Sequence, residues 1–179
     1  GGPRRAGSLQ SLKAQEEDGA LRAGKPEDAD TIKQMITAEK MNPLFLDPSN
    51  FVIAEQDGEI LGIGQIRPCE RAWELASLIV QEEARGQGIG TAIVNELLQR
   101  HQQKFESQEK LIPSILLLTL SSTTSFYTRL GFQSYDVSNA PNTMKMEVAA
   151  GNLMQKMAGG DEVVCMRYKY PVVELTCEG

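Results

Sequence analysis

The stretch LASLIVQEEARGQGIG, residues 75–90, decides the fold of this chain. It begins as an apolar run typical of a buried strand and ends in a turn with glycine at every second position, Gly86, Gly88 and Gly90. Apolar residues and one histidine then recur every fourth residue, on one side of a helix: Ile89, Ile93, Leu97, His101 and Phe105. The stretch therefore predicts a strand, a glycine-rich turn and a helix in succession.

An antiparallel meander is predicted before this turn. Residues 51–55 and 60–66 have strand character, and Asp57-Gly58 between them is typical of a two-residue hairpin turn. A second short turn near residues 68–70 leads to a third strand, which runs from Trp73 to Val80. Three strands therefore lead into the glycine-rich turn.

Further elements on both sides of the meander complete the prediction. They are a strand at 21–24, a helix opened by Pro26-Glu27-Asp28, a loop at 42–50, a buried strand at 114–120, a short helix at 124–130 ended by Gly131, a strand at 132–137, a helix around 153–157 and a strand at 163–168. This order of elements predicts an α+β sheet domain.

Length and composition suit one packed domain. The chain has 179 residues, 41% of them hydrophobic, and a formal net charge of −6 that disfavours nucleic-acid binding. The longest apolar runs, such as Ile115 to Leu118, have four residues and are far shorter than the about 20 residues of a membrane helix. Three widely spaced cysteines favour a reducing, intracellular setting over a disulfide scaffold. We therefore expect no nucleic-acid or membrane partner.

The two ends of the chain differ from the predicted domain at 21–171. Residues 1–20 hold few large apolar side chains and are expected to be a disordered segment or a processed start, and residues 172–179 a C-terminal tail. The expected compartment is the cytoplasm. A plastid or mitochondrion, reached after removal of a transit peptide, is the alternative.

The glycine-rich turn has the chemistry of an anion-binding site. Alternating glycines let successive backbone N–H groups converge, and the helix that follows adds the positive end of its dipole. Two other phosphate-binding patterns fail: Thr91 occupies the place of the third glycine in GxGxxG, and no glycine precedes Lys-Ser or Lys-Thr. An ordinary strand-to-helix turn is the alternative interpretation.

Two motifs resemble those of the GNAT superfamily of N-acetyltransferases. Arg85, Gly88 and Gly90 match its [R/Q]-x-x-G-x-[G/A] signature for acetyl-CoA. The segment FYTRLGF, residues 126–132, resembles its second signature. The resemblance implies a mixed, mostly antiparallel twisted sheet with helices on both faces. It also implies an acetyl-CoA-dependent N-acetyltransferase that requires no metal.

In such enzymes the strand before the turn splays from its neighbour, and its backbone holds the pantetheine arm. The resemblance assigns this role to Leu78, Ile79 and Val80, with a backbone N–H of Ile79 or Val80 facing the oxyanion. The pyrophosphate then rests on the turn and first helical residues: Arg85, Gly86, Gln87, Gly88, Ile89, Gly90 and Thr91.

Two side chains are candidates for proton transfer. Tyr127 resembles the family tyrosine that donates a proton near the CoA sulfur, although a core aromatic is the alternative. Glu74 is the candidate base, expected on one face with Ala76, Leu78 and Val80; a solvated carboxylate is the alternative. Many relatives carry an asparagine ahead of the tyrosine, but residues 120–125 contain none, so that CoA contact has no assigned residue.

The predicted function is acetyl transfer from acetyl-CoA to a primary amine by direct attack in a ternary complex. The acceptor, a protein α-amine, a lysine side chain or a small-molecule amine, is left open, as is the oligomeric state. A CoA-binding sensor that does not turn over and a purely structural domain are the alternatives. The five methionines between Met144 and Met166 are interpreted as core and loop filler.

Overall fold

The computed structural model describes residues 21–43 and 46–171, so the predicted N-terminal segment 1–20 and tail 172–179 lie outside the described residues. Within them lie seven strands and four helices: β1 (Leu21–Ala23), α1 (Ala29–Ala38), β2 (Phe51–Gln56), β3 (Glu59–Cys69), β4 (Ala72–Val80), α2 (Ile89–Glu106), β5 (Ile115–Leu120), α3 (Thr124–Arg129), β6 (Gln133–Ser134), α4 (Asn142–Ala158) and β7 (Val163–Tyr168). The α+β prediction is confirmed.

Two boundaries differ from the prediction in ways that local hydrogen bonding explains. The second hairpin turn lies at Glu70 and Arg71, where Glu70 has a φ of 51°, so β3 continues through Pro68. The strand predicted at 132–137 is only two residues long, because the Asp136 carboxylate accepts a hydrogen bond from the Ser138 N–H at 2.8 Å and starts a 3₁₀ turn.

Helix α4 begins well before the predicted segment around 153–157. Its first N–H groups, those of Asn142 and Thr143, donate to the Glu70 carboxylate at 3.3 and 2.9 Å. This cap comes from a residue about 70 positions earlier, so no local sequence pattern reports it. Among the helices of the described residues, none is both long and apolar enough to span a membrane.

The chain divides into two compact units, and the first comprises residues up to 67 together with 74–101. Its strands follow the order β1-β2-β3-β4, and β1, β2 and β3 pair antiparallel. On one face α1 contributes Ile32 and Ile36 to a buried cluster with residues of the sheet: Phe51, Ile53, Ile63 and Ile79. On the other face α2 lies close to β3, since a Cβ on Gly64 would come within 2.8 Å of Ile93. Helices therefore cover both faces of this unit.

The second unit comprises residues 68–73 and those after 101. Its strands follow the order β5-β7-β6, with both pairs antiparallel. Its core joins β5, β7 and α4 through Leu116, Cys165 and Met144. Of the five methionines interpreted as core and loop filler, Met144 and Met166 are buried. The interpretation is wrong for the three that are exposed on α4 beside the exposed Leu153: Met146, Met154 and Met157.

An ion-pair network joins β1, β2 and the start of α1. Arg22 donates to both carboxylate oxygens of Asp28, at 2.7 and 2.9 Å, and to Glu55 at 2.7 Å. The Lys25 N–H also donates to Asp28 at 2.7 Å, and Asp28 is only 6% exposed. The Arg22 hydrogen bonds hold the pKa of Asp28 below its ordinary value, although burial opposes them.

We predict that Asp28→Asn lowers the free energy of unfolding at pH 7 by about 1–3 kcal/mol. Because the pKa of Asp28 is lower folded than unfolded, its contribution is complete above about pH 4 and is lost as the pH falls through the folded pKa. Urea unfolding at pH 7 and pH 3 measures the difference, with the exposed Asp30→Asn as control. An equal loss for Asp28→Asn at both pH values contradicts this role of the network.

Candidate functional site

The glycine-rich turn has the left-handed backbone that only glycine adopts without strain. Gly86 and Gly88 have φ of 74° and 82°. The Ala92 N–H donates to the Gly88 carbonyl at 3.0 Å, and α2 begins at Ile89. No described atom lies within 4 Å of where a Cβ on Gly86 would be, so a ligand has room to reach the main chain. The turn thus has the geometry expected of an anion-binding loop.

Arg85 places a positive charge beside the turn and also stabilises it through hydrogen bonds. Its Nε donates to the Val80 carbonyl at 2.9 Å, and one Nη lies 3.2 Å from the exposed Glu39 carboxylate. The side chain therefore ties the last residue of β4 to the start of the turn. This bond engages the Val80 carbonyl and leaves the use of the Val80 N–H toward a ligand as a prediction.

Strand β4 contains a backbone irregularity that the sequence does not predict. Ser77 has a φ of 53°, the left-handed region, in the interior of the strand. Its Oγ accepts a hydrogen bond from Gln65 Nε2 at 3.1 Å. A left-handed residue inside a strand is typical of a β-bulge, which interrupts the alternation of side chains ahead of Leu78, Ile79 and Val80.

This bulge overturns the predicted common face for Glu74 and Leu78. Leu78 packs over Gly64, on the side of β3 that faces α2. Glu74 instead pairs with Arg67, which by strand alternation shares the opposite side with Ile63. The two-residue period therefore breaks between Glu74 and Leu78, a span that contains the left-handed Ser77.

Glu74 is buried in the first unit, with 5% of its surface exposed. Both Nε and Nη2 of Arg67 lie 3.0 Å from its Oε2. The guanidinium offsets the charge of the carboxylate inside the fold. The alternative of a solvated carboxylate is therefore wrong, while the role of Glu74 as a base remains a prediction.

Tyr127 lies on α3 in the second unit, apart in the chain from the turn and β4. Its ring packs edge-on against Phe126 and Phe132, with centroids 4.9 and 5.8 Å away. Burial raises the pKa of Tyr127 to about 12, so its hydroxyl stays protonated at neutral pH. A hydroxyl in this state is a hydrogen-bond donor.

The segment without the expected asparagine uses several of its hydroxyls locally. Thr119 and Thr123 hydroxyls are 2.6 Å apart, and Thr124 Oγ1 donates to the Ser121 carbonyl at 2.9 Å. Within the described part of the chain, the Ser122 and Ser125 hydroxyls make no such bond and are exposed. The sequence alone could not distinguish the hydrogen-bonded hydroxyls from the exposed ones.

The residues of the first unit fit a diphosphate-bearing coenzyme. The turn offers backbone N–H groups in an open, left-handed loop at the start of an 18-residue helix. The described residues contain no group of three or more His, Cys, Asp or Glu side chains arranged to hold a metal ion.

The chain is similar in sequence to known acetyltransferases. Residues 47–134 match the family model of the acetyltransferase (GNAT) domain. Over 117 residues the chain is 32% identical to mycothiol acetyltransferase from Streptomyces griseus; the match covers 63% of this chain and 36% of that protein. The chain thus spans about a third of the length of this curated relative.

Solved structures show the same fold at low sequence identity. N-acetylglutamate synthase from Neisseria gonorrhoeae, crystallised with coenzyme A and N-acetyl-glutamate, has a TM-score of 0.61 and 17% identity, over 85% of this chain and 35% of that one. A GNAT-family acetyltransferase from Staphylococcus aureus has a TM-score of 0.60 and 15% identity, over 83% of this chain and 96% of that one. These similarities establish the fold.

We predict a strong energetic coupling between Arg67 and Glu74. A double-mutant cycle with Arg67→Met and Glu74→Gln, followed by urea unfolding, should give a coupling energy of about 1–3 kcal/mol, because Glu74 is buried. The exposed pair Arg100 and Glu96, 2.7 Å apart on α2, is the control and should give at most about 0.5 kcal/mol. Equal coupling in the two pairs refutes the prediction.

Proposed function

Because residues 47–134 match the family model of the GNAT acetyltransferase domain, we propose that the protein transfers the acetyl group of acetyl-CoA to a primary amine. The left-handed turn at Gly86 and Gly88, directly before α2, is the observation that carries this proposal. It supplies a neutral set of N–H dipoles for a diphosphate, which suits a chain whose net charge is −6.

The proposed binding site uses the backbone of two consecutive segments. The N–H groups from Gly86 to Thr91 hold the diphosphate, and those of Leu78, Ile79 and Val80 hold the pantetheine arm. Bound acetyl-CoA supplies an activated thioester, the acyl donor. Arg85 keeps the two segments in fixed relation through its bond to the Val80 carbonyl.

Glu74 is the proposed base of the reaction. Its buried carboxylate accepts a proton from the attacking amine, directly or through water. Arg67 fixes the orientation of this carboxylate through two nitrogens, both 3.0 Å from Oε2. A fixed carboxylate also favours an acceptor with a cationic amine.

Tyr127 is the proposed donor toward the leaving sulfur. Its pKa of about 12 lies above the about 8.5 of an ordinary thiol. The phenol therefore stabilises a thiolate by donating a hydrogen bond, and its ionisation limits the rate only at strongly alkaline pH.

We predict that Tyr127→Phe lowers kcat about 100-fold while the dissociation constant for CoA stays within about twofold. Steady-state kinetics and calorimetry with CoA measure the two quantities. Tyr135→Phe is the control, since its hydroxyl donates to the Asn139 carbonyl in the same unit. An unchanged kcat for Tyr127→Phe removes this assignment.

The acceptor is identified by thiol release from acetyl-CoA with a panel of amines: peptides with a free α-amine, peptides with lysine, and small metabolite amines. We expect release with one of these classes, abolished in Glu74→Gln at neutral pH. Binding of CoA without release on any amine would favour the sensor alternative. No thermal shift on adding CoA would favour a purely structural domain.

A further inference from the structure

The left-handed Ser77 is the least expected backbone conformation in the first unit. Its φ of 53° lies inside a strand, where an L-residue other than glycine, asparagine or aspartate rarely adopts it. The turn residues Asp57 and Glu70 share this sign of φ, but each lies in a hairpin turn that requires it. Ser77 has no turn to account for its conformation, so neighbouring groups must stabilise it.

Gln65 on β3 provides such a contact. Its Nε2 donates to Ser77 Oγ at 3.1 Å, across to the neighbouring strand. Gln65 has no exposed surface, and within the described residues its Oε1 has no hydrogen-bond partner. It also lies directly opposite Phe51 of β2, a member of the apolar cluster under α1. A buried amide with one unsatisfied oxygen is less favourable for folding than an apolar side chain of the same size.

The strand around Ser77 is anchored at both ends. Before it, Glu74 is paired with Arg67. After it, Gln81 bonds twice to β3, from its N–H to the Leu61 carbonyl at 2.8 Å and from Nε2 to the Ile60 carbonyl at 2.6 Å. The Gln65 side chain acts between these anchors, at the residue where the strand bulges.

We infer that Gln65 is a positioning residue: its amide holds Ser77 in the left-handed conformation and thereby directs the backbone of Leu78, Ile79 and Val80. This inference rests on the proposed function, in which those three residues hold the pantetheine arm. This role explains why a buried amide with an unsatisfied Oε1 stands at position 65: its Nε2 makes the hydrogen bond to Ser77.

Gln65→Met tests the inference, since methionine has a similar length and no hydrogen-bonding amide. We expect an unchanged or higher midpoint of thermal unfolding together with a dissociation constant for CoA raised about five- to tenfold, the equivalent of one hydrogen bond. Ile63→Leu, a packing change on the same strand and face, is the control and should shift the midpoint without changing CoA affinity. A merely structural Gln65 would instead show a lower midpoint and unchanged affinity.

A second variant separates the backbone conformation from the hydrogen bond. Glycine adopts positive φ freely, so Gln65→Met combined with Ser77→Gly should restore CoA affinity to within about twofold of wild type. Failure of this rescue, with normal unfolding, overturns the inference. A crystal structure of Gln65→Met in which Ser77 keeps its positive φ overturns it as well.

These outcomes are distinct from failure of the proposed function. Wild-type protein that binds CoA but acetylates no amine refutes the acetyltransferase proposal and leaves this test intact. Wild-type protein that binds no CoA refutes both the proposed function and the assigned use of residues 78–80. The φ of residue 77 in Gln65→Met then still decides whether the amide holds the bulge.

Discussion

The N–H groups in the first turn of a helix have no acceptors within that helix, and in this chain the constraint acts where α2 begins at Ile89. The Gly88 carbonyl accepts the first bond of this helix, from the Ala92 N–H at 3.0 Å, so the glycine-rich turn leads directly into the helix start. Gly86 and Gly88 take left-handed conformations that a side chain would strain, and no described atom crowds Gly86. A helix start left open in this way stabilises an anion, which is the basis of the acetyl-CoA proposal.

Polar side chains make hydrogen bonds to and from β4 and the residues that follow it. Arg85 bonds to the Val80 carbonyl, Gln81 bonds to β3, and Gln65 bonds to the bulged Ser77. Each of these hydrogen bonds joins two residues of the chain and restrains the path of the backbone. The helices on the two faces pack against the sheet of this unit through apolar residues, and at Gly64 the absence of a side chain leaves room for Ile93.

The sequence was informative wherever a structural signal is local. Alternating glycines predicted the turn, the four-residue spacing predicted α2, and Asp57-Gly58 predicted the hairpin that both their positive φ values confirm. The sequence was uninformative wherever a residue far away in the chain determines the local structure. The start of α4 depends on Glu70, and the faces of β4 depend on a bulge supported by Gln65. The family motifs gave the identity of candidate residues, but the pairing of Glu74 with Arg67 required three-dimensional contacts.

The most direct measurement is a titration of isotopically labelled protein with CoA, followed by the backbone amide resonances. The account predicts that the largest shifts occur at residues 86–91, with smaller shifts at 78–80, because the diphosphate accepts hydrogen bonds from the former. Saturable binding with the largest shifts elsewhere, or no shifts at millimolar CoA, would contradict it.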